Sequence, residues 1–367
     1  MRIVHVDPET GWRGGQSQVF ALMQELRRAG HSSILAAPRD GELASRALES
    51  GFVVADVGCR FGHDPRAGFA LRRLCAERHP DIVHLHTARA LTFVGFAPRS
   101  VVRVLTRRMD TPPRGAGWYV RWLYRSLDEV LAISEAARRG LVARGIDPRQ
   151  IEIVPSGVDT AALQPGDATA ARAALGLGPG FCVAIVGGLH ARKGHAVLLE
   201  AVAQLPEEDR RGLQVLVAGS GPEEAMLRER AHSLGIETAL RWLGEVADVR
   251  PVLLAADLVA QPSLAEGLGV AALEAMACGR PVVASAVGGL SESIRQGREG
   301  WLVPAGDAGA LAAVLLSCSR DRTQLRGLGA QARLRGLEFS TVRMAAATLS
   351  VYQRGLARRA LGADAIR

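Results

Sequence analysis

The chain has 367 residues and a mass of 38.9 kDa, 48% of it hydrophobic and 22% charged, so it fills about two domains with ordinary cores and is not disordered, collagen-like or coiled-coil. Its net charge of +8 and pI near 10.0 leave nucleic acid, a membrane surface or anionic small ligands open as partners, while only 5 Trp, 3 Tyr and 8 Phe argue against single-strand binding by base stacking. Five scattered cysteines without metal-like spacing, no apolar run of membrane length and an N-terminus (MRIVHVDPETGW) without a leader pattern predict a reduced cytoplasmic chain with no zinc site and no bilayer span.

Arg2–Asp7 alternates apolar and small polar residues and predicts a strand. A glycine-bearing loop, Pro8–Gly15, leads to a helix over Gln16–Arg28, whose apolar face is Val19, Leu22, Met23 and Leu26 and which Gly30 ends. Strands follow at Ser33–Ala37, Asp81–His86 (DIVHLH), Val101–Thr106 (VVRVLT), Glu129–Ile133 and Ile151–Val154, with a helix starting at Ser134. Pro165–Gly180 is rich in small and turn residues and predicts a linker. The pattern then restarts: strand Phe181–Val186, loop Gly187–Gly194, helix His195–Leu205, strand Gln214–Ala218, then Leu253–Gln261, a helix over Ala271–Ala277 and strand Pro281–Ser285. Ser340–Ala360 reads as one amphipathic helix. Strands alternating with helices give parallel sheets, so the fold class is α/β with two doubly wound domains: residues 1–164 plus a C-terminal helix over 345–367, and residues 165–344. Ligands of such sheets bind outside the carboxyl ends of the strands, which makes the loops after the strands the candidate site.

Lys193 is the single lysine among 45 basic residues, and the chain has no asparagine. A GC-rich coding bias explains both, but it does not explain why the exception falls in Val186-Gly187-Gly188-Leu189-His190-Ala191-Arg192-Lys193-Gly194, between a strand and a helix. Free N–H groups and partial positive charge at that helix start suit a phosphate, with Arg192 as a bidentate grip and Lys193 as a compact charge. The alternative is a solvated Arg-Lys pair at a turn. A second loop, Glu266-Gly267-Leu268-Gly269, opens a helix in which Glu274 stands among apolar neighbours and is predicted to be buried against a partner. His86 ends an apolar strand and is either a site residue or a satisfied core histidine; His84 is expected to pack.

These stretches resemble glycosyltransferase family 4, the retaining enzymes of the GT-B fold, including those that build lipopolysaccharide and the cell envelope. EGLGVAALEAMACGRPVVAS with GGLSESI and GWLVPAGD, the two glutamates separated by seven residues, GGxxxV at Gly14–Val19, DIVHLH, LAISEAAR and VPSGVD all match in order. The resemblance implies two Rossmann-like domains facing a cleft, with the C-terminal helix returning to the first. It implies transfer of a hexose-type sugar from a UDP- or GDP-linked donor to a glycan or lipid-linked acceptor, with retention at the anomeric carbon. No cofactor and no metal are implied. Carried over by position, Arg192 and Lys193 hold the donor diphosphate. Glu266 touches the donor sugar, with the backbone of Gly267, Leu268 and Gly269 near sugar and phosphate. Glu274 holds the ribose, and Leu243-Gly244-Glu245-Val246 borders the base. Gly14 and Gly15 approach the diphosphate, and His86 lies near the reacting sugar. Arg192, Lys193, Glu266 and His86 are thereby the expected catalytic group.

Three departures stand out. Gly188 replaces a usual arginine, Ser156-Gly157 replaces an Asn-Gly pair, and Arg107, Arg108 and Asp110 stand where a histidine is usual. Seven arginines between Arg99 and Arg125, interleaved with Trp118, Tyr119, Trp122 and Tyr124, suit an anionic membrane surface and place the enzyme at the inner face of the cytoplasmic membrane, or else form a solvated helix with its aromatics in the core. The rival functions are a nucleotide-sugar epimerase on the same fold and a basic nucleic-acid-binding protein. A nicotinamide dehydrogenase is weaker, because neither glycine loop reads G-x-G-x-x-G. Nucleic acid is not the expected partner.

Overall fold

The computed structural model describes residues 1–57, 64–108 and 117–364; Cys59, Asp110 and Arg114 lie outside the described residues. The chain separates into two compact units, Met1–Gly157 with Thr341–Arg367, and Val158–Ser340. The sequence reading had put the divisions at 164 and 344.

The first unit is a seven-stranded, wholly parallel sheet: β1 (Arg2–Val6), β2 (Ser32–Ala37), β3 (Val53–Asp56), β4 (Ile82–Leu85), β5 (Val102–Arg107), β6 (Glu129–Ala132) and β7 (Ile151–Ile153), in the order β3-β2-β1-β4-β5-β6-β7. Buried on both faces, its central strands are near-continuous Val, Ile and Leu, as a covered parallel sheet requires. One face packs Val4, Val83, Leu85 and Leu105; the other packs Ile3, Ile82, Val102 and Val104 against the helix Thr341–Asp364. That helix is also fixed by charge. Glu129 is fully buried, and Arg354 and Arg358 donate to its carboxylate at 3.2 and 2.8 Å, while Arg359 pairs with Asp128 at 2.7 Å. Removing both arginines would strand the buried charge of Glu129.

The second unit is a six-stranded parallel sheet: β8 (Cys182–Val186), β9 (Gln214–Ala218), β10 (Leu240–Gly244), β11 (Leu258–Gln261), β12 (Val282–Ser285) and β13 (Gly300–Val303), in the order β10-β9-β8-β11-β12-β13. Three strands went unread in the sequence. Strand β3 is an edge strand with exposed Val53, and β10 and β13 carry Arg241, Trp242 and Trp301 in place of an apolar run. Leu253–Gln261 is two elements, the end of helix Arg250–Ala255 and then β11. The predicted linker is also structured. Asp167 caps helix Ala168–Ala174, and Arg172 reaches Asp257 at 2.6 Å and the Ala255 carbonyl at 2.9 Å, so this segment folds onto the second unit. No helix among the described residues is long and apolar enough to cross a membrane.

Candidate functional site

In the second unit the chemistry gathers at the carboxyl ends of β8 and β11. After β8 a short 3-10 turn, Ala191–Lys193, ends at Gly194, which precedes helix His195–Ala203. Gly194 has φ +71°, and a Cβ there would lie 1.8 Å from the Pro262 carbonyl oxygen, so only glycine lets the two loops approach this closely. The Leu264 N–H donates to the Arg192 carbonyl at 2.8 Å and stitches them together. The result is an ion pair. Lys193 Nζ donates to Glu266 Oε2 at 2.6 Å, and Ser263 Oγ donates to the same oxygen at 3.2 Å. Ser263 is itself held by Gln261 Nε2 at 3.0 Å. Both members are nearly enclosed, with side chains 15% and 10% exposed. The sole lysine is thus the partner of the loop glutamate.

Gly269, at φ +83°, precedes helix Val270–Ala277, and a Cβ there would meet Leu290 Cδ2 at 2.3 Å. Glu274 is half-buried rather than enclosed as predicted. Burial raises its carboxyl to about 7, and the Lys193 ammonium pulls the other way. The Leu268 side chain packs into the core, so that residue can offer a ligand only its backbone. Arg192 is exposed and Gly188 half-exposed on the same loop. Gly244 ends β10, its carbonyl taken by the Gly219 N–H at 2.7 Å, and Val246 lies half-buried beyond it. The sequence reading missed His195. It is buried, neither ring nitrogen has a hydrogen-bond partner, and burial with nearby Lys193 and His190 lowers it to about 4.

In the first unit polar side chains line one face at the carboxyl ends of β1, β4 and β5. Register pairs His5 with His84, and the period of two puts His86 and Asp7 on the same side. His84 packs as expected, accepting or donating to Tyr352 Oη at 2.6 Å and Thr106 Oγ1 at 2.7 Å. His86 is fully buried, 3.0 Å through Nε2 from His5 Nδ1 and 3.4 Å through Nδ1 from Arg108 Nη2. Asp7 accepts from Gln16 Nε2 at 3.0 Å and from the Glu9 N–H at 3.1 Å; burial lifts its carboxyl to about 6 against those bonds and the Arg108 charge. Gly14 and Gly15 begin helix Gly14–Arg28, which has no capping side chain and no acid in its first turn, and the Arg108 side chain lies against Gly15. His5, Asp7 and Arg108 were not singled out as site residues, although the alternation in HVD, HLH and TRR carries the signal.

The nitrogens of His5, His84 and His86 lie within 4.8 Å of one another, a spacing a metal ion would accept. Their chemistry does not suit one. Every ring nitrogen already faces a hydrogen-bond partner, and the Arg108 cation adjoins the cluster.

Two doubly wound units of this kind in one chain make the GT-B fold, and solved structures share it throughout. The Anabaena protein Alr3699/HepE, in complex with UDP and glucose, aligns at TM-score 0.85 and 22% identity over 95% of this chain and 99% of its own. Sucrose-phosphate synthase from Thermosynechococcus elongatus aligns at 0.80 and 22% over 98% and 100%. Residues 12–162 match the family described as Glycosyltransferase Family 4, and residues 180–321 match Glycosyl transferases group 1. The chain belongs to glycosyltransferase family 4. The D-inositol 3-phosphate glycosyltransferase of Nocardia farcinica is 39% identical over 233 residues, 61% of this chain and 51% of that protein. The chain therefore spans about half the length of the curated relatives it matches.

Proposed function

We propose that the chain is a retaining glycosyltransferase that moves a hexose-type sugar from a UDP- or GDP-linked donor to a glycan or lipid-linked acceptor in cell-envelope or lipopolysaccharide synthesis, without a metal. The observation that carries this reading is the enclosed Lys193–Glu266 pair at the carboxyl ends of β8 and β11, flanked by two helices whose N-termini are led by glycine and carry no side-chain cap. Family membership and the UDP and glucose held by Alr3699/HepE support a nucleotide-sugar donor, with UDP favoured.

As the bond to diphosphate breaks, negative charge grows on the leaving oxygen. Lys193, Arg192 and the free N–H groups in the first turns of helices His195–Ala203 and Val270–Ala277 meet it already oriented. They supply the charge a metal would otherwise bring. Glu266, fixed by Lys193 and Ser263, holds sugar hydroxyls. Glu274 takes the ribose, Gly244–Val246 border the base through backbone, and Gly14 and Gly15 approach the diphosphate. His86 stands near the reacting sugar. The departing phosphate draws the proton from an acceptor hydroxyl attacking the same face, which retains configuration.

A donor panel tests this. One nucleotide sugar should raise the melting temperature of the wild type by several degrees and be turned over, with Glu266→Ala and Lys193→Ala losing both. EDTA should leave turnover intact, and NMR of the product should show the anomeric configuration of the donor. If no nucleotide sugar shifts the wild type, the donor assignment fails. An epimerized donor sugar without acceptor would identify the epimerase instead, and steep salt-dependent affinity for any DNA would identify a nucleic-acid binder.

The basic segment divides. Arg103 is half-buried against Asp128, Arg107 and Tyr124 are buried, and Arg108 adjoins His86. Arg99, Arg121 and Arg125 are exposed together with Trp118 (77%), Tyr119 and Trp122, and the last two stack. Exposed tryptophans beside arginines favour an anionic lipid interface and hence a lipid-linked acceptor. Vesicles with anionic lipid should float the wild type at low salt, and a double Trp118→Ala, Trp122→Ala variant should lose about tenfold in partitioning. No flotation of the wild type removes the membrane contact.

A further inference from the structure

We infer that His5 is a positioning residue: through a buried chain Arg108–His86–His5–Ser33 it locks His86 in one neutral tautomer, with a bare Nδ1 presented as a hydrogen-bond acceptor. The catalytic consequence rests on the proposed place of His86 beside the reacting sugar; the chain itself rests on geometry alone.

The direction of the chain follows from chemistry. A guanidinium can only donate, so Arg108 Nη2, 3.4 Å away, faces the lone pair of His86 Nδ1. A neutral imidazole with an accepting Nδ1 carries its proton on Nε2. That proton points to His5 Nδ1 at 3.0 Å, which must therefore accept. His5 then carries its own proton on Nε2, 3.2 Å from Ser33 Oγ, which accepts. Each assignment forces the next, and a proton on the wrong nitrogen of either ring would set two donors against each other. Both rings are fully buried and stack with centroids 5.2 Å apart, so neither can turn away without opening the face. His84 cannot replace His5, because Tyr352 and Thr106 hold both its nitrogens.

The lock decides what His86 can do. A sugar hydroxyl arriving at Nδ1 finds an acceptor, and Arg108, displaced from the ring, is free to meet an anionic group near Gly15. A protonated His86 would repel Arg108 and would have no lone pair to offer. The charged and titratable groups facing His86 are Arg108, His5 and His84, with Asp7 acting on Arg108; three of these four disfavour a charged ring.

Two variants and one spectrum test this. In ¹⁵N-labelled wild type at pH 7, His86 should show a protonated Nε2 and a bare Nδ1. His5→Leu removes the acceptor and should give a mixture of tautomers. With a donor that the wild type turns over, it should lower kcat by about 10- to 100-fold and leave the donor KM within about twofold. His5→Asn places an amide oxygen near the lost Nδ1 and should restore the tautomer and most of kcat. A wild-type His86 protonated on Nδ1, or charged at pH 7, overturns the proposal. So does equal loss in His5→Leu and His5→Asn with the tautomer unchanged in both, which would mean packing alone. His86→Ala separates the two claims: unchanged turnover there removes His86 from the reaction site, while the spectrum still decides the lock.

Discussion

Replacing Lys193 with alanine lowers kcat/KM for the nucleotide-sugar donor by about 10²- to 10³-fold, the loss expected when one preorganised donor to a developing oxyanion is removed. The effect should exceed that of Arg192→Ala. Arg192 is exposed, whereas Lys193 is enclosed and lies 2.6 Å from Glu266. Two further losses follow from the same atom. Glu266 stays buried with only Ser263 to satisfy it, which should cost about 2–4 kcal/mol of stability, somewhat less than a wholly buried pair because both side chains keep some solvent. Glu274, already raised to about 7, loses the cation that holds it down, so more of it is protonated at neutral pH and ribose binding weakens. Lys193→Arg should recover charge but not geometry. Lys193 Cε already passes within 3.8 Å of where a Cβ on Gly187 would stand, and a planar guanidinium needs more room. Donor kinetics and urea melts on both variants, with Glu266→Gln completing a double-mutant cycle, check the coupling. Turnover within threefold of wild type in Lys193→Ala would end the assignment.

The sequence carried the architecture because parallel strands buried on both faces must be apolar and glycines such as Gly30 often follow a helix. Strands such as FCVAIV and QVLVA are legible for that reason. Strand β3 was not, because an edge strand with one exposed face needs no such run. The predicted linker failed for a related reason: its small residues suit a turn, but Arg172 meets Asp257 only once the sheet exists. In the site, the loops and both glutamates were legible as a resemblance. The pairing of Lys193 with Glu266 was not, since it depends on a left-handed Gly194 bringing two distant loops into contact. His5 was missed for a simpler reason: a histidine within an apolar strand reads as core until its register with His84 is known, and only register puts HVD, HLH and TRR on one face.

That shared face predicts the second large effect, an acid collapse of the first unit. Burial lowers His5 to about 3 and drives His84 and His86 well below the ordinary histidine value of 6.5, so the folded chain resists protonating all three where a free histidine would take up a proton. The unfolded chain binds protons at all three below about pH 6.5, and the folded chain does not. Stability is therefore fully present above that pH and lost as pH falls through it, by about 2 kcal/mol at pH 5 for His5 and in the same direction for His84 and His86. Asp7 has the opposite sign: its folded carboxyl, raised to about 6, takes up a proton before the unfolded one does and returns about 1 kcal/mol at pH 5. Three histidines against one carboxylate leave a net loss, and a domain of this size holds only about 5–15 kcal/mol. The second unit carries two opposed groups: His195, lowered to about 4, loses about 2 kcal/mol at pH 5, and Glu274, raised to about 7, returns about as much. Between pH 7.5 and 5, amide protection corrected for intrinsic exchange should fall first in β1, β4 and β5 and later in β8 and β11. His84→Gln should flatten the loss by about one histidine's share, because glutamine keeps polar contacts near Tyr352 and Thr106 without a proton to gain. Protection in β1 and β4 unchanged down to pH 5 would mean that these histidines are not held neutral.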